Sequence, residues 1–260
     1  MWKGGHIMTF MQVQVKSDVL QMELPVWVSL PQKEAAGKSG FRVLWLLHGG
    51  GGNQMDWLTC TKIREQAERY GWAVVMPTSM DSCFIDMAKG EEFGRFIGEE
   101  LPEIMQKLFP CFSLDREDNV ISGFSNGGYG CLIAGLTYPD AFGWIAAFAA
   151  GDKADADFSY RMAEKEKFFG DGDMQKSSYS TKYLARCLAK KKGTMPKVFH
   201  AYGEGDPWRN MNELVRDDFL SYSGNPYHYQ CRVIKEKKHE WSMCEEAMEQ
   251  FLEYYKEEQK

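Results

Sequence analysis

The sequence predicts an α/β fold in which a mainly parallel sheet carries helices on both faces. Strand signals and helix signals alternate along most of the chain, which is typical of such a sheet. Residues 41–47 form a continuous apolar run, as expected for a central strand that is buried on both sides. The length of 260 residues and the hydrophobic fraction of 44% suit one large globular domain. We therefore expect a single domain over residues 1–260.

The elements follow in order along the chain. Residues 11–16 and 21–30 alternate apolar and polar, which predicts an antiparallel hairpin at the start. Further strands are predicted at residues 41–47, 73–76, 120–124, 144–150, 198–202 and 229–234. Capping signals predict a helix that begins at Asp56 and stops at Gly71, while Pro102 should kink or begin the helix around it. The other helices are predicted at residues 91–109, 126–137, 179–192, 212–221 and 241–255.

Residues 151–178 interrupt this order. The stretch is charged and rich in glycine and aspartate, with one short helical segment at residues 160–169. We interpret it as a small insertion over the carboxyl edge of the sheet, where a cap or lid would lie. Its spacing lacks the register of a calcium-binding EF-hand, so a solvated acidic surface is predicted rather than a metal site. The acidic residues considered are Asp152, Asp155, Asp157, Asp171 and Asp173.

Composition limits the classes of partner. The formal net charge of −6 argues against a nucleic-acid binder, which needs a basic surface. No apolar run approaches the roughly 20 residues that span a bilayer, and the first residues do not resemble a secretory signal peptide. The seven cysteines are scattered, without metal-ligand spacing, which predicts free buried thiols in a reducing compartment. We expect a cytoplasmic protein with no membrane contact, and a homo-oligomer is compatible with the sequence.

The strongest local signal is the segment Gly123-Phe124-Ser125-Asn126-Gly127, which matches the pattern G-x-S-x-G. In the α/β-hydrolase fold, the serine of this pattern lies on a strained turn between a strand and a helix. An apolar strand precedes the segment here, and a helix of small and apolar residues follows it. Ser125 is therefore predicted to be a nucleophile.

A glycine-rich loop after the strand at 41–47 predicts an oxyanion hole. Acyl transfer places negative charge on a carbonyl oxygen, which two backbone N–H groups can stabilise, and glycine permits the close approach this requires. We expect the amides of Gly50 and Asn126 to be the donors. His48, Gly49 and Gly51 are expected to support the loop, His48 through a hydrogen bond.

A run of four glycines, Gly49 to Gly52, is also a feature of loops that bind a phosphate. The loop lacks the Lys-Ser/Thr that follows in a P-loop, and Gln54 stands where a dinucleotide-binding fingerprint needs its last glycine. A nucleotide site is therefore not expected.

A serine nucleophile needs a neutral imidazole as base, and in this fold the base follows the nucleophile in the chain. Three histidines come after Ser125. His200 and His228 lie within or at the start of predicted strands, where a packed histidine is the common outcome. His239 lies in a polar loop between the last strand and the last helix. His239 is therefore predicted to be the base.

The acid that orients this base should come between the two. Asp206 follows the strand at 198–202 directly, and Glu204 in the same loop is the nearest competitor. Asp217 and Asp218 lie on the next predicted helix and are expected to face solvent. Asp206 is therefore predicted to be the acid.

Together these segments resemble the putative esterase family of α/β-hydrolases, over nearly the whole chain. That family includes tributyrin-type acetyl esterases, S-formylglutathione hydrolase (esterase D) and the feruloyl and acetyl-xylan esterases. The resemblance rests on the Leu-Leu-His-Gly-Gly loop and on Val75 to Thr78, Glu100-Leu101-Pro102, Phe109-Pro110, the stretch from Ser122 to Gly130, and His239-Glu240-Trp241.

The resemblance implies a serine carboxylesterase that hydrolyses short acyl, acetyl-like esters through Ser125, His239 and Asp206, without a cofactor. Alternatives within the family are a thioesterase acting on S-formylglutathione and an esterase acting on acetylated or feruloylated oligosaccharides. A binding protein that keeps the fold without catalysis is disfavoured by the intact set of three residues. Family members often carry methionine where this chain has Asn126, so their acyl preference is not transferred.

Overall fold

The computed structural model describes residues 9–32, 37, 39–191 and 193–259. Within these ranges eight strands form one sheet: β1 (Thr9–Ser17), β2 (Met22–Leu30), β3 (Arg42–Leu47), β4 (Trp72–Pro77), β5 (Asn119–Phe124), β6 (Trp144–Phe148), β7 (Lys197–Gly203) and β8 (Gln230–Ile234). The α-helices are α1 (Asp56–Cys60), α2 (Ile63–Tyr70), α3 (Phe93–Arg95), α4 (Leu101–Leu108), α5 (Asn126–Thr137), α6 (Met162–Phe169), α7 (Thr181–Lys191), α8 (Arg209–Leu220) and α9 (Trp241–Glu258). The predicted mixed sheet and helices are confirmed.

The strand order across the sheet is β1-β2-β4-β3-β5-β6-β7-β8. The β1–β2 hairpin is antiparallel and joins β4 in antiparallel pairing, whereas the strands from β4 to β8 are parallel to one another. The chain leaves β3 toward β4 on one side and returns to β5 on the other. Ligands of open α/β sheets bind at the carboxyl ends of the strands beside such a reversal. A functional site is therefore expected at the carboxyl ends of β3 and β5.

Alternate side chains of the central strands enter two separate cores, one on each face of the sheet. In β3, Trp45 and Leu47 join the core beneath α4, α5, α7 and α8, while Leu44 and Leu46 join the core beneath α2 and α9. All four side chains are almost completely buried. A strand covered on both faces needs apolar residues at every position, which explains the uninterrupted apolar run in the sequence.

The helix predicted at residues 91–109 is divided into three parts. Between α3 and α4 the chain forms one π-helical stretch, Phe96–Glu100, and Pro102 is the second residue of α4. Proline has no N–H to donate to the preceding turn, and a π-helical turn accommodates the missing bond. The helix predicted to begin at Asp56 is likewise divided into α1 and α2, and it ends at Gly71 with a left-handed φ of 73°.

The segment 151–178 follows the carboxyl end of β6 and contains α6 between two 3₁₀ turns, Lys153–Asp155 and Met174–Lys176. Phe158, Phe169 and Met174 pack in a small third core against Tyr129 of α5. Backbone hydrogen bonds from residues 88 and 89 to the carbonyls at 168 and 167, both 3.0 Å, tie α6 to the loop before α3.

Two aspartates expected at the surface are not solvated. Asp152 is only 2% exposed, and burial raises the pKa of its carboxyl group, partly offset by hydrogen bonds from Ala154, Thr181 and Lys182. Burial likewise raises the pKa of Asp218, which lies at 3.8 Å from the Lys182 ammonium. The predictions for Asp152 and Asp218 are therefore wrong, because each carboxylate faces other elements of the fold rather than solvent.

All seven cysteines are free thiols. Cys83, Cys131 and Cys244 are buried, as expected, whereas Cys60 and Cys111 are exposed. The expectation of buried thiols is therefore wrong for these two, which lie at the end of α1 and in the loop before β5.

His200 is fully buried on β7 and makes two hydrogen bonds. Its Nε2–H donates to Asn212 Oδ1 at 3.1 Å, and its Nδ1 lies 2.8 Å from the Tyr229 hydroxyl. Burial lowers the pKa of this imidazole to about 4. His200 is thus a packed neutral histidine, as predicted. His228 differs from the prediction, because it is exposed on a turn with a positive φ of 44°.

Candidate active site

Ser125 connects β5 to α5 in a conformation that side chains rarely adopt, with φ 57° and ψ −114°. Its backbone N–H donates to the Phe148 carbonyl at 2.9 Å, and its own carbonyl accepts the Tyr129 N–H at 2.9 Å. These bonds hold the strained turn between β6 and the first turn of α5. Such strain persists only where the surroundings enforce it, and it is common at functional sites.

The glycines on either side of Ser125 are required by close backbone packing. A Cβ on Gly123 would lie 2.3 Å from the Gly127 carbonyl oxygen, and a Cβ on Gly127 would lie 2.3 Å from the His48 carbonyl oxygen. No side chain can approach backbone atoms so closely. The two glycines therefore allow β5, α5 and the end of β3 to meet at the serine.

His239 lies in the loop between β8 and α9, 114 positions from Ser125 in the chain, and its imidazole contacts the serine side chain. His239 Nε2 is 2.9 Å from Ser125 Oγ. On the other side of the ring, Nδ1 is 2.9 Å from Asp206 Oδ2. A carboxylate can only accept, so Nδ1 carries the proton and Nε2 is free to accept from the serine hydroxyl.

Asp206 is held by its own loop after β7. Its side chain is completely buried, and Oδ1 accepts the Trp208 N–H at 2.8 Å. The two oxygens thus have separate partners, which fixes the orientation of the carboxylate. Glu204 does not approach His239; it accepts the backbone N–H of Glu236 at 3.3 Å.

Aromatic rings enclose the imidazole. The rings of Phe124 and Trp208 each lie 4.7 Å from the His239 ring between centroids, and Trp241 packs against Phe124 at 4.9 Å. Only 16% of the His239 side chain is exposed. The sequence did not lead us to assign Phe124 to the site, although its position directly before Ser125 could have indicated it.

The loop after β3 turns back next to Ser125. The Gly52 N–H donates to the Gly49 carbonyl at 3.2 Å, and Gly51 has a left-handed φ of 69°. His48 Nδ1–H donates to the Gly49 carbonyl at 2.7 Å, while Nε2 accepts the Ser79 N–H at 3.2 Å. Burial lowers the pKa of His48, which favours the neutral ring that these two bonds require. His48 therefore joins the loop to the end of β4.

Two backbone amides close to the serine make no hydrogen bond in the part of the chain that the structure describes. Asn126 directly follows Ser125, and Gly50 packs against the Asn126 side chain. Asn126 begins α5, and the first N–H groups of a helix lack partners within it and favour negative charge. These two amides can donate to an anion.

One contact of this site has no sequence signal. Lys153 Nζ donates to Asn126 Oδ1 at 2.8 Å, although the two residues are 27 positions apart. A lysine within an acidic insertion belongs to no motif, so only the folded chain places it beside the residue that follows Ser125.

The described residues contain no group of three or more histidine, cysteine, aspartate and glutamate side chains that could hold a metal ion. Each helix within the described ranges is too short or too polar to cross a bilayer.

The chain is similar to known esterases. The chain matches the Esterase family model, described as "Putative esterase", over residues 17–221. It is 33% identical over 220 residues to an acetyl esterase of Caldicellulosiruptor saccharolyticus, a match that covers 76% of this chain and 81% of the relative. It is 30% identical over 145 residues to an S-formylglutathione hydrolase of Paracoccus denitrificans, covering 47% of this chain and 50% of the relative.

Solved structures share the fold at low sequence identity. The substrate-bound fluorophosphonate-binding serine hydrolase F (FphF) of Staphylococcus aureus superposes with a TM-score of 0.83 at 24% identity, covering 96% of this chain and 98% of that one. An S-formylglutathione hydrolase of Agrobacterium tumefaciens gives a TM-score of 0.81 at 19% identity, covering 98% and 97%. The chain therefore belongs to the Esterase family and is a serine hydrolase with the α/β-hydrolase fold.

Proposed function

We propose that this protein hydrolyses short-chain, acetyl-like esters through a covalent acyl intermediate on Ser125. The observation that carries the proposal is the unbroken hydrogen-bonded chain from Ser125 Oγ through His239 to Asp206, with both links at 2.9 Å. A serine hydroxyl is a weak nucleophile unless a base removes its proton, and a buried carboxylate keeps that base in the correct tautomer.

In the first half of the reaction, Ser125 Oγ attacks the ester carbonyl carbon and its proton passes to His239 Nε2. Asp206 stabilises the imidazolium that forms. The carbonyl oxygen becomes negatively charged and accepts hydrogen bonds from the amides of Gly50 and Asn126, each worth roughly 3 kcal/mol in such a site. The bond to the alkoxy oxygen then breaks, and His239 returns the proton to the leaving alcohol.

In the second half, water replaces the alcohol. His239 Nε2 takes a proton from the water while its oxygen attacks the acyl carbon. The tetrahedral species uses the same two amides and collapses to release the carboxylic acid, as His239 returns the proton to Ser125 Oγ. No cofactor enters these steps.

The acyl preference for acetyl-like groups is supported by the acetyl esterase from Caldicellulosiruptor saccharolyticus, to which this chain is similar over most of its length. A second candidate is hydrolysis of a thioester, S-formylglutathione, because relatives and structural neighbours include S-formylglutathione hydrolases. Ferulic acid esterases among the neighbours make esters of oligosaccharides a third candidate. The same residues would serve all three, and kcat/KM measured across the three substrate types ranks them.

We place the enzyme in the cytoplasm, acting on a small-molecule ester, with the segment 151–178 as a cap over the site and with a homo-oligomer as one candidate assembly.

The test is a Ser125→Ala variant assayed with p-nitrophenyl acetate and with a fluorophosphonate probe. We expect kcat to fall roughly ten-thousandfold or more, with a trace of rate left because the oxyanion donors remain. Labelling by the probe should be lost. Ser223→Ala, at an exposed serine in the loop between α8 and β8, is the matched control and should keep both signals. Parent-like hydrolysis by Ser125→Ala rules out the proposed mechanism.

A further inference from the structure

Lys153 contacts the residue that follows the nucleophile. It is the first residue of the 3₁₀ turn Lys153–Asp155 in the segment after β6, and its ammonium donates to the Asn126 side-chain oxygen at 2.8 Å. Lys153 is partly buried. The mechanism above assigns no role to this contact.

The turn that carries Lys153 is built on a buried carboxylate. Asp152 accepts the Ala154 N–H at 2.9 Å within the turn. The same carboxylate accepts the Thr181 hydroxyl at 2.9 Å and the Lys182 N–H at 3.3 Å at the start of α7. The base of the lysine side chain is therefore fixed to the body of the protein rather than carried on a free loop.

The carboxamide of Asn126 spans the gap between this turn and the glycine-rich loop. Because its oxygen faces the Lys153 ammonium, its Nδ2 group faces the other way, toward Gly50. A Cβ on Gly50 would lie 2.7 Å from that nitrogen. Lys153 therefore contacts the Asn126 carboxamide, and the carboxamide in turn packs against Gly50. The backbones of Asn126 and Gly50 carry the two N–H groups that make no hydrogen bond.

The Lys153 ammonium is not part of an ion pair in the described part of the chain. Of the carboxylates in the described ranges, none lies within ion-pair distance of its ammonium, and the Asn126 carboxamide is neutral. A charge that is partly removed from water acts over a longer distance than one at the open surface, because the local dielectric constant is lower. The ammonium therefore contributes positive potential at the residue next to the nucleophile.

We propose that Lys153 is a positioning residue of the oxyanion hole, a role that rests on the proposed function. Through the Asn126 carboxamide it holds the two amide donors at their spacing, and its charge favours the anionic tetrahedral intermediate over the neutral ester. Because the neutral ester gains little from this arrangement, the contribution belongs to kcat rather than to KM.

The experiment compares Lys153→Met and Lys153→Arg with the parent enzyme. Assays with p-nitrophenyl acetate give kcat and KM, and inhibition by phenylboronic acid reports the affinity for an anionic tetrahedral adduct on the serine. We expect Lys153→Met to lower kcat about tenfold with KM changed less than about threefold, since one charge-assisted hydrogen bond beside the oxyanion is lost. The inhibition constant should rise by a similar factor, and Lys153→Arg should recover most of both losses.

Two controls isolate the effect. Lys176→Met removes a lysine of the same segment that is 80% exposed and pairs with Asp173, and it should match the parent. In an Asn126→Ala background, the Lys153→Met substitution should cost less than about threefold, because the carboxamide that transmits the positioning effect is gone and only the direct effect of the charge remains. Thermal unfolding of each variant checks that the fold is kept.

The proposal is overturned if Lys153→Met keeps kcat and the boronate inhibition constant within about twofold of the parent, or if its loss is unchanged in the Asn126→Ala background. Ser125→Ala, measured in parallel, distinguishes failure of the Lys153 proposal from failure of the proposed function. An inactive Ser125→Ala with a fully active Lys153→Met refutes only the role of Lys153, whereas an active Ser125→Ala refutes the proposed function itself.

Discussion

The substitution Asp206→Asn tests the proposed triad by changing one atom. In the parent, Asp206 Oδ2 accepts from His239 Nδ1 at 2.9 Å, and Oδ1 accepts the Trp208 N–H at 2.8 Å. An asparagine has one oxygen and one NH₂ group for these two positions. The Trp208 N–H can only donate, so the oxygen must stay on that side. The NH₂ group then faces His239.

This orientation reverses the tautomer of the base. Facing an NH₂ donor, His239 Nδ1 must accept, so its proton moves to Nε2 and points at Ser125 Oγ. The imidazole can then no longer take the serine proton without first giving up its own. A triad with the wrong tautomer loses about 10⁴-fold in kcat, which equals about 5.5 kcal/mol of transition-state stabilisation. The fold should persist, because the change is isosteric and leaves the Trp208 hydrogen bond intact.

The assay is hydrolysis of p-nitrophenyl acetate from pH 6 to 9, with circular dichroism as a check of the fold. Glu204→Gln is the matched control. It makes the same chemical change in the same loop, at a carboxylate that bonds to Glu236 rather than to the base, and it should stay within about threefold of the parent. A folded Asp206→Asn variant that keeps more than about a tenth of the parent kcat refutes the assignment of Asp206 as the orienting acid.

Two further predictions concern stability. Gly127→Ala should lower the free energy of unfolding by about 1–3 kcal/mol and reduce activity, because its Cβ would lie 2.3 Å from the His48 carbonyl oxygen. Gly172→Ala is the control, because a Cβ there would have no atom within 4 Å. Urea unfolding and esterase assays should show no change for this second variant. Folding lowers the pKa of His200 to about 4, whereas a histidine in the unfolded chain has a pKa of about 6.5. As the pH falls below 6.5 the unfolded chain therefore binds a proton that the folded protein does not. The free energy of unfolding should decline from above pH 6.5 toward pH 4, by about 2 kcal/mol at pH 5. Urea unfolding at pH 7 and pH 5 measures this loss of stability, which should be smaller in His200→Gln than in the parent and unchanged in His228→Gln. An equal loss in both variants contradicts the role of His200.

Much of the architecture was readable from local pattern. The helix α5 has the predicted bounds, and the sheet strands differ from prediction by a few residues at their ends, because apolar runs and glycine stops report burial and chain reversal directly. The π-helical stretch before Pro102 was not predictable in the same way. Pro102 signals an interruption, but whether it takes the form of a kink, a helix start or a π-helical turn also depends on packing against neighbouring elements, and periodicity carries no information about that.

The sequence by itself determined the strained turn at the end of β5 and predicted Ser125 as a nucleophile there, because the spacing of Gly123, Ser125 and Gly127 reflects a backbone geometry that few residue types permit. It also restricted the base and the acid to a few loop residues. Only the tertiary structure decided which carboxylates lie in water: Asp152 is buried although it belongs to a charged stretch with Lys153 and Asp155. Likewise, no local pattern connects Lys153 to Asn126. Contacts between distant segments depend on the packing of the whole sheet and its helices, and this packing exists only in the folded chain.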